Sequence, residues 1–189
     1  IELPEYKMPD MRTVGIYVSD KVKGYLQKAG TIIFLGTIVI WGLLNFGPQG
    51  YTEDPTQSLG ALLGHSLVPL FAPIGLGFWQ ITVALLAGIS AKEVVVSSCA
   101  VLFGITNATS GEGMDRFQQA LESIGFTSIN ALCLMVFCLL YVPCVAALAT
   151  IRKESGSWAW TLGEAVFQLV TAWVVTFVVY QGFQIIFGA

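Results

Sequence analysis

Apolar positions along this chain come in long runs separated by short polar intervals, and the runs show neither in/out alternation nor a single amphipathic stripe. Four runs stand out, roughly Tyr25 to Phe46, Phe78 to Phe103, Phe126 to Ile151 and Trp158 to Phe187. Each reaches the roughly 20 residues a helix needs to cross the hydrocarbon layer. Lipid-exposed backbone must satisfy its own hydrogen bonds, and a barrel would show alternating polarity, so the pattern predicts helices and not strands. A fifth run, Ser58 to Phe71, is too short to span and is interrupted at Pro69, which predicts an interfacial or re-entrant helix. Gln118 to Ile124 is polar enough to lie at the surface.

Composition sharpens this picture. Of the 189 residues 55% are apolar and 11% charged, and the mean hydropathy is +0.74. A water-soluble core of this size could not hide so much apolar surface. Charges cluster, with none between Lys28 and Glu53, between Asp54 and Lys92, between Glu122 and Arg152, or after Glu164. The expected fold is therefore an all-α, polytopic helical membrane protein, divided into a cytoplasmic juxtamembrane segment, residues 1–28, and a transmembrane domain, residues 29–189.

The basic residues set the orientation. Lys7, Arg12, Lys21, Lys23 and Lys28 precede the first span, which places that side in the cytoplasm. Placing Arg152 and Lys153 on the same side leaves Phe78–Phe103 and Phe126–Ile151 only one net crossing between them, so one must enter and turn back. Both contain a break, Gly88 to Glu93 in the first and Tyr141 to Cys144 in the second. Non-helical backbone at membrane depth is tolerated where it faces protein or a water-filled cavity, and broken helices mark transport sites near the midplane.

Candidate chemistry concentrates at those breaks. Lys92 and Glu93 interrupt an apolar run, and an ionisable group at that depth costs about 2.5–3.5 kcal/mol on insertion scales, so such residues mark ion routes. Glu93 shares a helical face with Ser90 and Ser97, a polar stripe suited to lining a cation path. Lys92 has two readings, as a pathway group or as a bundle residue that snorkels or pairs with a carboxylate. Pro143 has no N–H and frees the carbonyl of Leu139. That oxygen beside the Cys144 thiol forms a mixed O/S environment suited to a borderline transition metal. The other reading of this pair is a proline kink with a small buried thiol.

The remaining polar residues carry weaker signals. His65 reads as interfacial, Glu164 as solvated, and Gln168 as a donor between helices. Cys133 and Cys138 read as apolar fillers, and Ala29, Gly30 and Gly36 as close-packing positions. The four cysteines show no C-x-x-C spacing, which argues against a disulfide framework or structural zinc. The chain opens on Ile1 without a signal-peptide pattern, so further domains are expected upstream.

Taken in order, the strings E-L-P-E-Y-K-M-P from Glu2, K-A-G-T-I-I from Lys28, A-K-E-V-V-V from Ala91, L-Y-V-P-C-V-A from Leu140 and I-R-K-E-S-G-S-W from Ile151 resemble the C-terminal membrane region of the ferrous iron transport protein B (FeoB) family. The resemblance implies the second of two Gate modules, a nucleoside-transporter-like half with re-entrant helices, plus the closing helices. It further implies a multi-pass protein of the bacterial inner membrane that takes up Fe²⁺ as substrate, with Cys144 handling metal and Lys92 and Glu93 central to the Gate; with the residue reading above, Cys144 and Glu93 are the metal candidates and Lys92, Pro143, Ser90 and Ser97 the pathway candidates. Partners implied are membrane lipid, the first Gate module and the GTP-binding domain of the same parent, small accessory Feo proteins and further copies of the protein, with no nucleic acid. GTP and Mg²⁺ would belong to that other domain: no G-x-x-x-x-G-K-[ST] loop occurs here, so this stretch is expected not to be an enzyme. Family members commonly carry Gly-Thr where this chain has Ser97-Ser98-Cys99. Two other classes stay open, a nucleoside or small-solute carrier of Gate architecture and a non-transporting membrane scaffold.

Overall fold

A computed structural model of the chain describes residues 10–48, 50–52, 55–89, 92, 94–105 and 110–187. Eight α-helices account for nearly all of it: α1 Met11–Asn45, α2 Leu59–Phe71, α3 Trp79–Ala87, α4 Val94–Leu102, α5 Gly111–Ser123, α6 Ser128–Leu140, α7 Val145–Ser155 and α8 Trp158–Phe187. Two-residue strands, β1 Phe46–Gly47 and β2 Gly50–Tyr51, pair antiparallel in the connection after α1.

α1 is one uninterrupted helix of 35 residues, about 52 Å long, that carries the basic juxtamembrane positions and the first apolar run together. Asp10 caps it by accepting from the N–H groups of Arg12 and Thr13. The Thr13 hydroxyl and these two amides hold the Asp10 carboxyl below its ordinary value.

Two stretches, Ser128–Ser155 and Trp158–Ile186, are long and apolar enough to cross a membrane. Leu59–Ile74 and Trp79–Ala87 form a third if that pair, bent by 101°, is counted as one broken span. The predicted span Phe78–Phe103 is not a single crossing. It divides into α3 and α4, nine residues each, which pack side by side so that the chain reverses between them. Each is about 13 Å long, less than half the hydrocarbon thickness. α6 and α7 lie within one 28-residue stretch that is long and apolar enough to cross.

The expected interruption at Pro69 also needs correcting. α2 runs through Pro69 to Phe71, and the chain bends in the turn Ala72–Ile74 that follows, ending at Gly75 with φ 77°. Three side chains from later helices occupy carbonyls at this bend. Trp173 Nε1 donates to Leu70 at 2.9 Å, Asn130 Nδ2 to Gly75 at 2.6 Å and Gln181 Nε2 to Pro73 at 3.4 Å. The bend is thus a place where freed carbonyls acquire donors from α6 and α8, as non-helical backbone in hydrocarbon must.

The core lies where α3, α4, α6 and α8 meet, with Ile81, Leu85, Val95, Cys99, Cys133, Phe137 and Ala172 all buried. α5 lies at the surface and buries Phe117 against Phe103.

Candidate functional site

The two breaks lie against each other. α3 ends at Ala87 with Gly88 as its cap, and α6 ends at Leu140 with Tyr141 as its cap. A side-chain carbon at Gly88 would collide with the Tyr141 hydroxyl and with Val95, so only glycine permits this approach. The N–H of Val145, first residue of α7, donates to the carbonyl of Ile89 at 3.1 Å, joining the two breaks by a main-chain bond.

Lys92 closes the junction. Its ammonium donates to the carbonyls of Leu139 at 3.3 Å and Tyr141 at 3.1 Å and sits 4.9 Å from the centre of the Tyr141 ring. The Leu139 oxygen is the one that Pro143 deprives of its helical partner, and in the structure the lysine holds it. Lys92 is half-buried, and its partners among the described residues are these two carbonyls and the Tyr141 ring. The magnitudes explain how a cation is tolerated there. Two hydrogen bonds to a charged donor contribute about 1.5–3 kcal/mol each and the ring about 0.5–2 kcal/mol, against an insertion cost near 3 kcal/mol. The negative end of the α6 dipole adds to the same attraction.

Cys144 is half-buried and occupies the cap position of α7. Its carbonyl accepts from Ala147 and Leu148, and its thiol makes no capping bond. Pro143 lies beside it in the extended stretch between α6 and α7. Cys138, read from sequence as a filler, is half-buried and lies within electrostatic reach of Lys92. Ser97 is exposed on α4 and its hydroxyl bonds Val94 of the same helix. Ser90 and Glu93 lie outside the described residues. Among the described residues no three His, Cys, Asp or Glu side chains gather as a metal cluster; the groups seen to converge here are the backbone oxygens of Leu139 and Tyr141.

An apolar cavity of about 180 Å³ adjoins the junction, lined by Thr82, Leu85, Ile89, Phe137, Tyr141 and Trp173 among others. With almost no polar surface it would leave a dehydrated cation unpartnered, which excludes it as an ion route.

Two weaker expectations fare differently. The Gln168 amide donates within its own helix, to Glu164 at 2.7 Å, one turn earlier on α8. His65 is exposed and stacks on Trp79 at 5.3 Å. Sequence reasoning missed Tyr141, which supplies both a carbonyl and the ring under Lys92; its place two residues before Pro143 was the available signal. Asn130, Trp173 and Gln181, the donors at the α2–α3 bend, gave no local signal, since each acts on a carbonyl at least 55 residues away.

Comparison with known proteins adds to this geometry. A family model described as "Gate: Nucleoside recognition" matches residues 26–158. The Fe(2+) transporter FeoB of Staphylococcus aureus strain MSSA476 is 40% identical over 186 residues, covering 96% of this chain and 26% of the relative. The Fe(2+) transporter FeoB of Methanocaldococcus jannaschii is 38% identical over 187 residues, covering 95% and 26%. A Fe(2+) transport protein A/Fe(2+) transporter FeoB fusion protein of Porphyromonas gingivalis is 32% identical over 222 residues, covering 96% and 26%. The chain thus spans about a quarter of the length of these curated relatives. No solved structure matches it.

Proposed function

The chain belongs to the Gate family, and from that membership we propose that it forms half of the permeation path of a ferrous iron uptake transporter in a bacterial inner membrane. The observation that carries this reading is the meeting of two helix breaks around Lys92, which brings the Leu139 and Tyr141 backbone oxygens together on otherwise apolar elements, with Cys144 at the start of α7 beside them in sequence. The likeness to Fe(2+) transporters along nearly the whole chain supports iron as the substrate.

In this reading Fe²⁺ passes a weak site made by Cys144, the carbonyls of Leu139 and Tyr141, and Glu93, completed by facing groups of the first Gate module. Thiolate and carbonyl donors suit a borderline divalent metal, and a conducting site must bind loosely enough to release. Pro143 keeps α6 and α7 from joining and so keeps the oxygens available; Ser90 and Ser97 border the approach. Residues 1–28 form the juxtamembrane segment and 29–189 the Gate-type domain. A GTP-binding domain of the parent would act through α1, and an accessory Feo protein would act with it, an association that the fused relative supports.

The family description also raises nucleoside transport. Reading a base requires amide donors and acceptors at the site, yet neither break, Gly88 to Glu93 or Tyr141 to Cys144, contains an asparagine or glutamine. Iron is therefore the better-supported cargo.

The test is uptake of radiolabelled iron by cells producing the full-length protein with Cys144→Ser. A fall of about tenfold or more is expected, because a hydroxyl is a far poorer ligand for this class of metal than a thiolate. Undiminished uptake removes Cys144 from the path. Competition by manganese and zinc in the same assay measures selectivity.

A further inference from the structure

We propose that Lys92 is the specificity-determining residue of this path: its ammonium is a tethered resident cation that holds the Leu139 and Tyr141 carbonyls and yields them only to an ion of higher charge. This deepens the transport reading above and rests on it. The seat is described by distances. Two carbonyl oxygens released by the α6 break lie 3.3 and 3.1 Å from Nζ, with the Tyr141 ring beneath at 4.9 Å. Backbone carbonyls are the groups with which channels replace the hydration shell of a passing cation, so the lysine stands where a permeating ion would find its oxygens.

Selectivity follows from competition. A free monovalent ion brings no more charge than the ammonium and must give up its hydration shell for two oxygens that already have a cation. It also competes against a group held in place by its own backbone, which has the advantage of proximity. Sodium and potassium are therefore excluded although both are abundant. A divalent metal doubles the attraction to the same dipoles and repels the ammonium once it arrives. A softer one gains further from thiols, and Cys138 lies within electrostatic reach of Lys92. The lysine stem is flexible and its head is a compact point charge, so it can leave and return without rearranging a helix. The empty path is shut by a charge, and the cargo opens it.

A lysine that merely capped α6 would stabilise the fold without deciding which ions pass, and the two roles separate experimentally. The full-length protein is reconstituted in liposomes, and flux of radiolabelled rubidium is measured alongside radiolabelled iron. Lys92→Met keeps the stem and removes the charge; it is expected to raise rubidium flux at least about tenfold, the equivalent of a barrier lowered by about 1.4 kcal/mol. Lys92→Arg is expected to stay tight to rubidium. Its planar guanidinium grips two oxygens at once and is harder to displace, so iron uptake should fall about tenfold. An inserted Lys92→Met protein that remains tight to rubidium overturns the proposal, whether or not it still carries iron. If Lys92→Met does not insert, Lys92→Arg decides: iron uptake equal to the unaltered protein overturns it. Failure of the unaltered protein to carry iron sinks the iron reading alone, because the rubidium comparison needs no iron.

Discussion

Asn130 uses both ends of one buried amide. Its Oδ1 accepts from the Thr127 N–H at 2.7 Å, completing the cap of α6, and its Nδ2 donates to Gly75 at 2.6 Å. Replacing it with leucine strands a backbone donor and a backbone acceptor, so Asn130→Leu should destabilise the protein by about 2–4 kcal/mol. Asn130→Asp keeps the oxygen that accepts from Thr127 but turns a second acceptor towards the Gly75 carbonyl, and should lose at least as much as leucine. Thermal unfolding in detergent orders the three proteins; equal midpoints for leucine and asparagine would show that the bend is held by other bonds. Lys92 teaches the same lesson about a single side chain. Its depth was legible from the sequence, since a charge in an apolar run stands out. Its partners were not, because they are carbonyls 47 and 49 residues away and no local pattern encodes them.

At the scale of elements, the sequence marked the breaks at Gly88–Glu93 and Tyr141–Cys144 because glycine, proline and charge punctuate long apolar helices there. It misplaced the end of α2 for a physical reason. Pro69 and Pro73 look alike in a string, and each removes one N–H. The chain bends beyond Phe71 because there Gly75 takes φ 77° and donors from α6 and α8 receive the carbonyls. Gly75 also lies under the Tyr180 ring, which a side-chain carbon would strike, whereas Gly125 has φ 80° with open space around it. Gly75→Ala should therefore cost about 2–4 kcal/mol, from backbone strain plus collision, and Gly125→Ala about 1–2 kcal/mol from strain alone. Similar losses in unfolding experiments would mean that Tyr180 moves aside freely.

For the molecule as a whole, the proposed path depends on α6 and α7 remaining apart. Pro143→Ala restores an N–H able to reach the Leu139 carbonyl, in direct competition with Lys92. A continuous helix is the expected result, with stability preserved or raised, since a proline in a helix interior costs about 3 kcal/mol. Iron uptake by the full-length protein should fall about tenfold or more, as the oxygens of the seat turn inward. Uptake at the unaltered rate would show that the break is not needed. Large apolar side chains such as Phe34, Leu139 and Ile185 remain exposed on this chain, so lipid and the first Gate module are the proposed cover.

α1 has no joint. It packs on α2 and α7, and its last turn rests against Gly60 at the start of α2, where a side-chain carbon would lie 3.1 Å from the Leu44 side chain and 3.2 Å from the Leu43 carbonyl. A stiff rod delivers at one end whatever displacement it receives at the other. With no break between Arg12 and Asn45, that rod ties the basic end of the chain to the faces of α2 and α7 on which it rests.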